Sequence, residues 1–123
     1  MLNSVTVYIN WRVIMQFIIN KYTKQQAVDA FTKVYNEDAM DMLEHKCCGL
    51  NFSNIYQVTA KFDDSSDWLS CALVVQYANG RASVCADGET LTGYKYVDFG
   101  TALSKLMQLA ETCDKQFYVD HKY

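Results

Sequence analysis

The sequence has no proline at all. That removes the usual device for stiffening loops, and with it any slow X–Pro isomerisation during folding. It also has no long apolar run. Val5 to Ile19 is rich in apolar residues, but Asn10, Trp11, Arg12 and Gln16 interrupt it. Such a stretch is too polar for a membrane helix and lacks the shape of a signal peptide. There is no internal repeat, no low-complexity tract and no linker. Sequence signatures of common enzymes are missing too: no G-x-S-x-G, no Walker-type phosphate loop, no G-x-G-x-x-G and no H-E-x-x-H. Histidine occurs only twice, as His45 and His121, so no Ser/His/Asp set is singled out.

What is present describes a folded domain. The chain has 123 residues, a common size for one domain, and no linker divides it. A chain of that length buries enough surface to fold without a metal or disulfide. Half of its residues are hydrophobic and a fifth are charged, which excludes disorder. Cysteine is plentiful but odd in number: Cys47, Cys48, Cys71, Cys85 and Cys113. Five cannot pair fully within the chain, so they read as reduced thiols in a cytoplasmic protein, mostly serving as small core hydrophobes.

Along the chain, Val5, Val7, Ile9, Trp11 and Val13 alternate with Thr6, Tyr8, Asn10 and Arg12, the period of a strand. Phe17-Ile-Ile continues it or forms a second short strand. Met15 would make a natural start, with residues 1–14 as an N-terminal extension. Thr23 and Gln26 have the spacing of a capping box. Ala27, Phe31, Val34, Tyr35, Ala39, Met42 and Leu43 then recur at helical spacing, and Gly49 supplies a left-handed stop. Tyr56 to Phe62 alternates as a strand. Asp63 to Asp67 is a polar turn, and Trp68 to Tyr77 is a long apolar strand. Asn79-Gly80 is a hairpin signal. A two-residue turn there sets Tyr77 opposite Ala82 and Val75 opposite Val84. Asp87-Gly88 marks a second hairpin, leading to a weaker strand through Tyr94 and Tyr96. Asp98 caps a last helix with a stripe of Phe99, Ala102, Leu103, Leu106, Met107, Ala110 and Cys113. The tail Phe117-Tyr-Val is expected to add an edge strand. The expected fold class is α+β: an antiparallel meander of four to five strands with two amphipathic helices on one face, in the order β-α-β-β-β-β-α.

Three clusters invite a chemical reading. His45, Cys47 and Cys48 supply ligand types for zinc, but structural zinc uses two spaced ligand pairs, and adjacent thiols at a helix end do not provide them. A thiol nucleophile needs a lowered pKa. At a helix C-terminus the dipole works against one, and His45 and Lys46 offset it only modestly. Asp63, Ser65 and Asp67 echo the start of a calcium loop, yet the glycine and the distal glutamate are missing and Val74 stands where the latter belongs. No cofactor is expected.

Charge is more informative. Asp29, Glu37, Asp38, Asp41, Glu44, Asp63, Asp64 and Asp67 face only Lys33, Lys46 and Lys61 within residues 29–67, eight acids against three bases. Glu37, Asp41 and Glu44 form a stripe on the first helix beside Asp38. One reading is a solvated face. The other is an acidic surface that meets a basic protein partner, with Glu37, Asp38, Asp41, Glu44, Asp63, Asp64 and Asp67 as its contacts. Direct nucleic-acid binding is disfavoured at a pI near 5.2. The core order α-β-β-β-α resembles double-stranded-RNA-binding domains in element order alone, without their basic surface. Tyr8, Tyr22, Tyr94, Tyr96, Tyr118 and Tyr123 fall on polar faces, edges or the tail, where tyrosine serves either an interface or a half-buried sheet.

The leading expectation is a non-enzymatic protein-interaction module that binds and inhibits a partner. The chain is similar in character, though not by motif, to small acidic accessory proteins of phages and mobile elements, anti-CRISPR inhibitors among them. Two alternatives stay open. One is a small acidic homodimeric chaperone. The other is a cysteine-dependent enzyme or metal-binding protein that uses His45, Cys47 or Cys48.

Overall fold

In the computed structural model, which describes residues 5–10, 15–62 and 69–112, six strands form one antiparallel sheet in strict chain order. The elements are β1 (Val5–Asn10), β2 (Met15–Thr23), α1 (Lys24–Tyr35), a 3-10 turn (Asn36–Asp38), α2 (Ala39–Lys46), β3 (Asn54–Phe62), β4 (Leu69–Gln76), β5 (Ala82–Ala86), β6 (Glu89–Thr90) and α3 (Phe99–Thr112). The α+β meander is as the sequence pattern implies. The N-terminal alternation resolves into two strands, paired from Val5↔Asn20 to Asn10↔Met15. The turn at Asp63 to Asp67, Cys113 and the tail strand at Phe117 lie outside the described residues.

The first helix starts where its cap dictates. Gln26 N–H donates to Thr23 Oγ1 at 3.2 Å, and Thr23 N–H donates to Gln26 Oε1 at 2.9 Å. It does not run on to Gly49. Asn36 adopts φ 52, ψ −120, and the chain passes through the 3-10 turn before α2 begins. The break rotates α2 relative to α1, so one continuous apolar stripe no longer faces inward. Ala27, Ala39 and Leu43 are buried and Phe31 is half-buried, but Val34 and Met42 are turned out. The stop residue also differs from the expectation. Cys48, at φ 57, takes the left-handed position, and Gly49 follows at φ 128. Gly49 N–H donates to Glu44 O at 2.8 Å and Cys48 N–H to His45 O at 3.4 Å, the paired bonds of a Schellman ending.

The helices cover opposite faces of the sheet, not one face. Val58, Ala72, Val74, Ala82 and Val84 pack with Ala102, Leu106 and Ala110 of α3. Ile55, Leu73, Val75 and Cys85 pack with Ala27, Leu43 and Cys47 from the α1–α2 side. The cause is visible in β4 and β5, whose consecutive residues Ala72 to Val75 and Ala82 to Ala86 are all buried. A strand apolar on both sides needs a cover on both.

Two hairpins close this half of the sheet. At the first, Tyr77 N–H donates to Arg81 O and Gly80 N–H to Tyr77 O, with Gly80 at φ +89. This is a three-residue loop of Ala78, Asn79 and Gly80, not a two-residue turn. Val75 therefore pairs with Ser83, Val74 with Val84 and Gln76 with Ala82, one residue away from the expected register. The second hairpin has the expected two-residue turn, with Asp87 at φ 52 and Gly88 at φ 75. Its return strand is only two residues long. Tyr94 and Tyr96 lie in the loop beyond, which Val84 N–H ties down through Tyr94 O and Ala82 through Val97. Asp98 Oδ1 accepts from Thr101 N–H at 2.9 Å and starts α3.

Candidate functional site

The acidic residues collect on the corner between the two N-terminal helices. Glu37 and Asp38 lie in the 3-10 turn, and Asp41 and Glu44 lie on α2; all four are exposed. Ala39 and Leu43 anchor the inner side of α2 in the core, which fixes the outward side. That outward side is not purely polar. Val34 is 68% exposed, Met40 41% and Met42 39%. The stripe of large apolar residues read from the sequence thus divides, and part of it joins the acids at the surface. Met40 was absent from that stripe, and only the helix break at Asn36 reveals its exposure.

Two lysines of α1 and α2 have aromatic neighbours. Lys24 Nζ donates to Leu50 O at 2.5 Å and sits 5.4 Å from the Phe52 ring centre. Lys46 Nζ lies 5.6 Å from the centre of Phe31, and burial pulls its ammonium down to about 8, against a smaller opposing pull from Cys47. Asp63, Asp64 and Asp67 lie outside the described residues.

The other candidate cluster sits at the end of α2. Cys47 is buried with Leu43, Phe52 and Ile55, and burial pushes its thiol up to about 12. Cys85 is buried in β5, and burial raises its thiol too, reinforced by Cys48 beside it. Its Sγ lies 3.8 Å from Cys47 O and 3.9 Å from Thr90 Oγ1. Thiols held in the neutral form are poor nucleophiles, so Cys47 and Cys85 do not have the electrostatics of catalytic cysteines. Cys48 is exposed. The His45 ring packs against Gly88 of the second hairpin. Among the described residues, no group of three or more His, Cys, Asp or Glu side chains is arranged to hold a metal ion.

A groove of about 480 Å³ runs between this helix end and the first hairpin, lined by Cys48, Leu50, Asn51, Tyr77, Asn79 and Tyr96 among others. Tyr96, at φ 55, is held by several partners. Its ring lies 5.3 Å from Tyr77 and 5.6 Å from the Arg81 guanidinium, its hydroxyl accepts from Asn79 Nδ2, and its N–H donates to Ser83 Oγ. Of the tyrosines expected at surfaces, Tyr22 and Tyr94 are half-buried against the core, and Tyr96 is 47% exposed. The side chains of Tyr8, Tyr118 and Tyr123 lie outside the description.

No family model, curated protein or solved structure matches the chain. Among the described residues, no helix is long and apolar enough to cross a membrane.

Proposed function

We propose that the chain is a non-enzymatic protein-interaction module whose α1–α2 corner captures a partner protein with a basic, partly apolar surface and inhibits it by masking that surface. The observation that carries this reading is the mixture on the corner. Val34, Met40 and Met42 stand in solvent among Glu37, Asp38, Asp41 and Glu44. Charge alone suits a solvated face, but large apolar side chains left out beside it suit a contact that later buries them. Methionine is well suited to such a contact, because its unbranched chain adapts to the surface it meets. The acids would speed encounter with a basic partner, and the apolar residues would slow its departure. The reading keeps the expectation drawn from the chain's similarity in character to small acidic phage and mobile-element accessory proteins. A cytoplasmic setting goes with this reading, supported by the free thiols of Cys47, Cys48 and Cys85.

The test is affinity capture from the native host with three baits: the unaltered chain, the reversal Glu37→Lys/Asp41→Lys/Glu44→Lys, and Met40→Ser/Met42→Ser. Circular dichroism establishes that each bait is folded. The expected result is a protein held by the unaltered chain and lost from both variants, with capture weakening as salt rises. A partner held equally by all three baits would overturn the proposal.

A further inference from the structure

The sheet ends differently on its two sides. On one side β6 is only two residues long, and the loop that follows it closes the rest of β5. Ala82 and Val97 exchange both of their backbone hydrogen bonds at 2.7 Å, Val84 N–H donates to Tyr94 O at 2.9 Å, and Leu91 N–H donates to Val84 O at 2.9 Å. The outward backbone groups of Ala82 and Val84 are thus already taken. On the other side β1 has β2 as its only neighbour among the described residues, paired from Val5 to Asn10 without a shift of register. In an antiparallel strand, alternate residues turn their N–H and C=O groups to opposite sides. Half of the six residues of β1 therefore direct theirs away from β2. Folded monomers blunt such an edge with charge, proline, a bulge or a very short strand. The segment Val5-Thr-Val-Tyr-Ile-Asn has no charged residue and no proline, and its pairing has no bulge.

We propose that β1 is a dimerisation strand, and that its occupant is β1 of a second copy of this chain, paired antiparallel about a two-fold axis normal to the sheet. The difference between the two edges selects this arrangement. Adding β1 to the far edge of another copy would build an open filament, and the loop through Tyr94 and Val97 closes that far edge. Adding β1 to β1 closes after two copies. An antiparallel pair of identical strands is self-complementary, because each outward N–H of one strand meets an outward C=O of the other. With the axis at Val7, Val5 stands level with the partner's Ile9 and Thr6 with the partner's Tyr8. The neutral composition matters at this place, since a charge beside a two-fold axis meets its own copy at close range. Charge also separates this edge from the α1–α2 corner. Glu37, Asp38, Asp41 and Glu44 are exposed there and would repel a second copy. The proposal stands apart from the capture of a partner at that corner and survives its failure.

The experiment takes the intact chain through a dilution series, followed by sedimentation velocity and by amide hydrogen exchange on peptic fragments that cover residues 5–10. The expected result is a shift from a 14.1 kDa monomer to a dimer as concentration rises. Exchange in residues 5–10 should slow in step by about tenfold or more, while exchange in β5 and α3 stays constant. The double variant Thr6→Lys/Tyr8→Lys places like charges across the axis. It should remain a monomer at concentrations where the unaltered chain is dimeric. Circular dichroism establishes that the variant is folded, and if it is not, the exchange series on the unaltered chain decides alone. A monomer at every concentration, a dimer whose β1 amides exchange as fast as those of the monomer, assembly that continues past two copies, or a folded double variant that still dimerises would each overturn the proposal.

Discussion

The imidazole of His45, in the last turn of α2, lies directly on Gly88 at the tip of the second hairpin. A Cβ placed on Gly88 would stand 2.6 Å from His45 Cε1 and 2.7 Å from Nε2. Gly88 is required by its φ of +75, and an added Cβ would in addition have to displace the exposed His45 ring. Gly80 provides a control, since its φ is +89 but nothing lies within 4 Å of an added Cβ. Gly80→Ala should cost about 1–2 kcal/mol, the price of a left-handed side chain. Gly88→Ala should cost somewhat more, because the exposed His45 ring must swing aside as well. His45→Ala should recover the excess, giving a coupling of about 0.5 kcal/mol or more in a double-mutant cycle. Urea unfolding of the four proteins measures it. Equal losses for the two glycines would show that the ring yields freely.

Ser83 is a buried polar side chain in β5, 1% exposed, and its hydroxyl joins two loops. Its Oγ accepts from Tyr96 N–H at 2.8 Å and lies 3.0 Å from the Tyr77 hydroxyl. Ser83→Ala removes the acceptor and leaves the Tyr96 amide without it, so stability should fall by about 1–3 kcal/mol. Because Tyr96 holds a left-handed backbone there, amide exchange around Tyr96 should speed up more than exchange in α1. Uniform acceleration across both regions would point to global destabilisation alone.

The parts of the fold that were readable are those set by local chemistry. Thr23 with Gln26, Asp98 before α3, and Asp87-Gly88 each satisfy backbone groups within a few residues, so position in the chain suffices to find them. What could not be read depends on tertiary context. Nothing in the spacing of Ala27 to Leu43 announces the break at Asn36, because the apolar period continues across it. The loop at Asn79-Gly80 gained one residue because Asn79 stays out of the positive-φ region, a choice that the pairing of Arg81 with Tyr77 decides. The opposed helices were legible in principle, since the apolar run in β4 implies burial on both faces. For the candidate site, the acids on α2 were evident from sequence. The apolar side chains among them were not, because their exposure follows from the break at Asn36.

The capping box at Thr23 links β2 directly to α1, and its worth is open to measurement. Thr23 Oγ1 accepts from Gln26 N–H, while Lys24 N–H donates to Ser53 O at 2.9 Å, so the helix start is held from both sides. Thr23→Ala should cost about 1 kcal/mol, and Thr23→Ser considerably less, because serine keeps the acceptor. Chemical denaturation of the three proteins decides it. A serine variant as unstable as the alanine one would mean that the threonine methyl, not the cap, carries the effect.

Lys46 gives the stability of the chain a distinctive dependence on alkali. Burial lowers its ammonium from 10.5 to about 8 in the folded state, so its charged form is disfavoured there. Well below pH 8 the lysine is protonated whether the chain is folded or not, and its penalty is constant. Between about 8 and 10.5 the unfolded chain holds a proton that the folded chain has released, so this group makes stability rise with pH. Cys47 acts in the opposite sense. Its thiol is raised from 9.0 to about 12, so above pH 9 the unfolded chain loses a proton that the folded chain keeps, and stability falls. Cys85 is shifted in the same direction as Cys47. The two effects separate between pH 8 and pH 9, where the lysine dominates. The urea midpoint of the unaltered chain should therefore rise relative to that of Lys46→Met across this interval, because methionine keeps the contact with Phe31 and removes the titration. Above it, both proteins should lose stability as the thiols take over, the unaltered chain less steeply until about pH 10.5. A constant difference between the two midpoints from pH 7 to pH 9 would show that the Lys46 ammonium is solvated as fully in the folded chain as in the unfolded one.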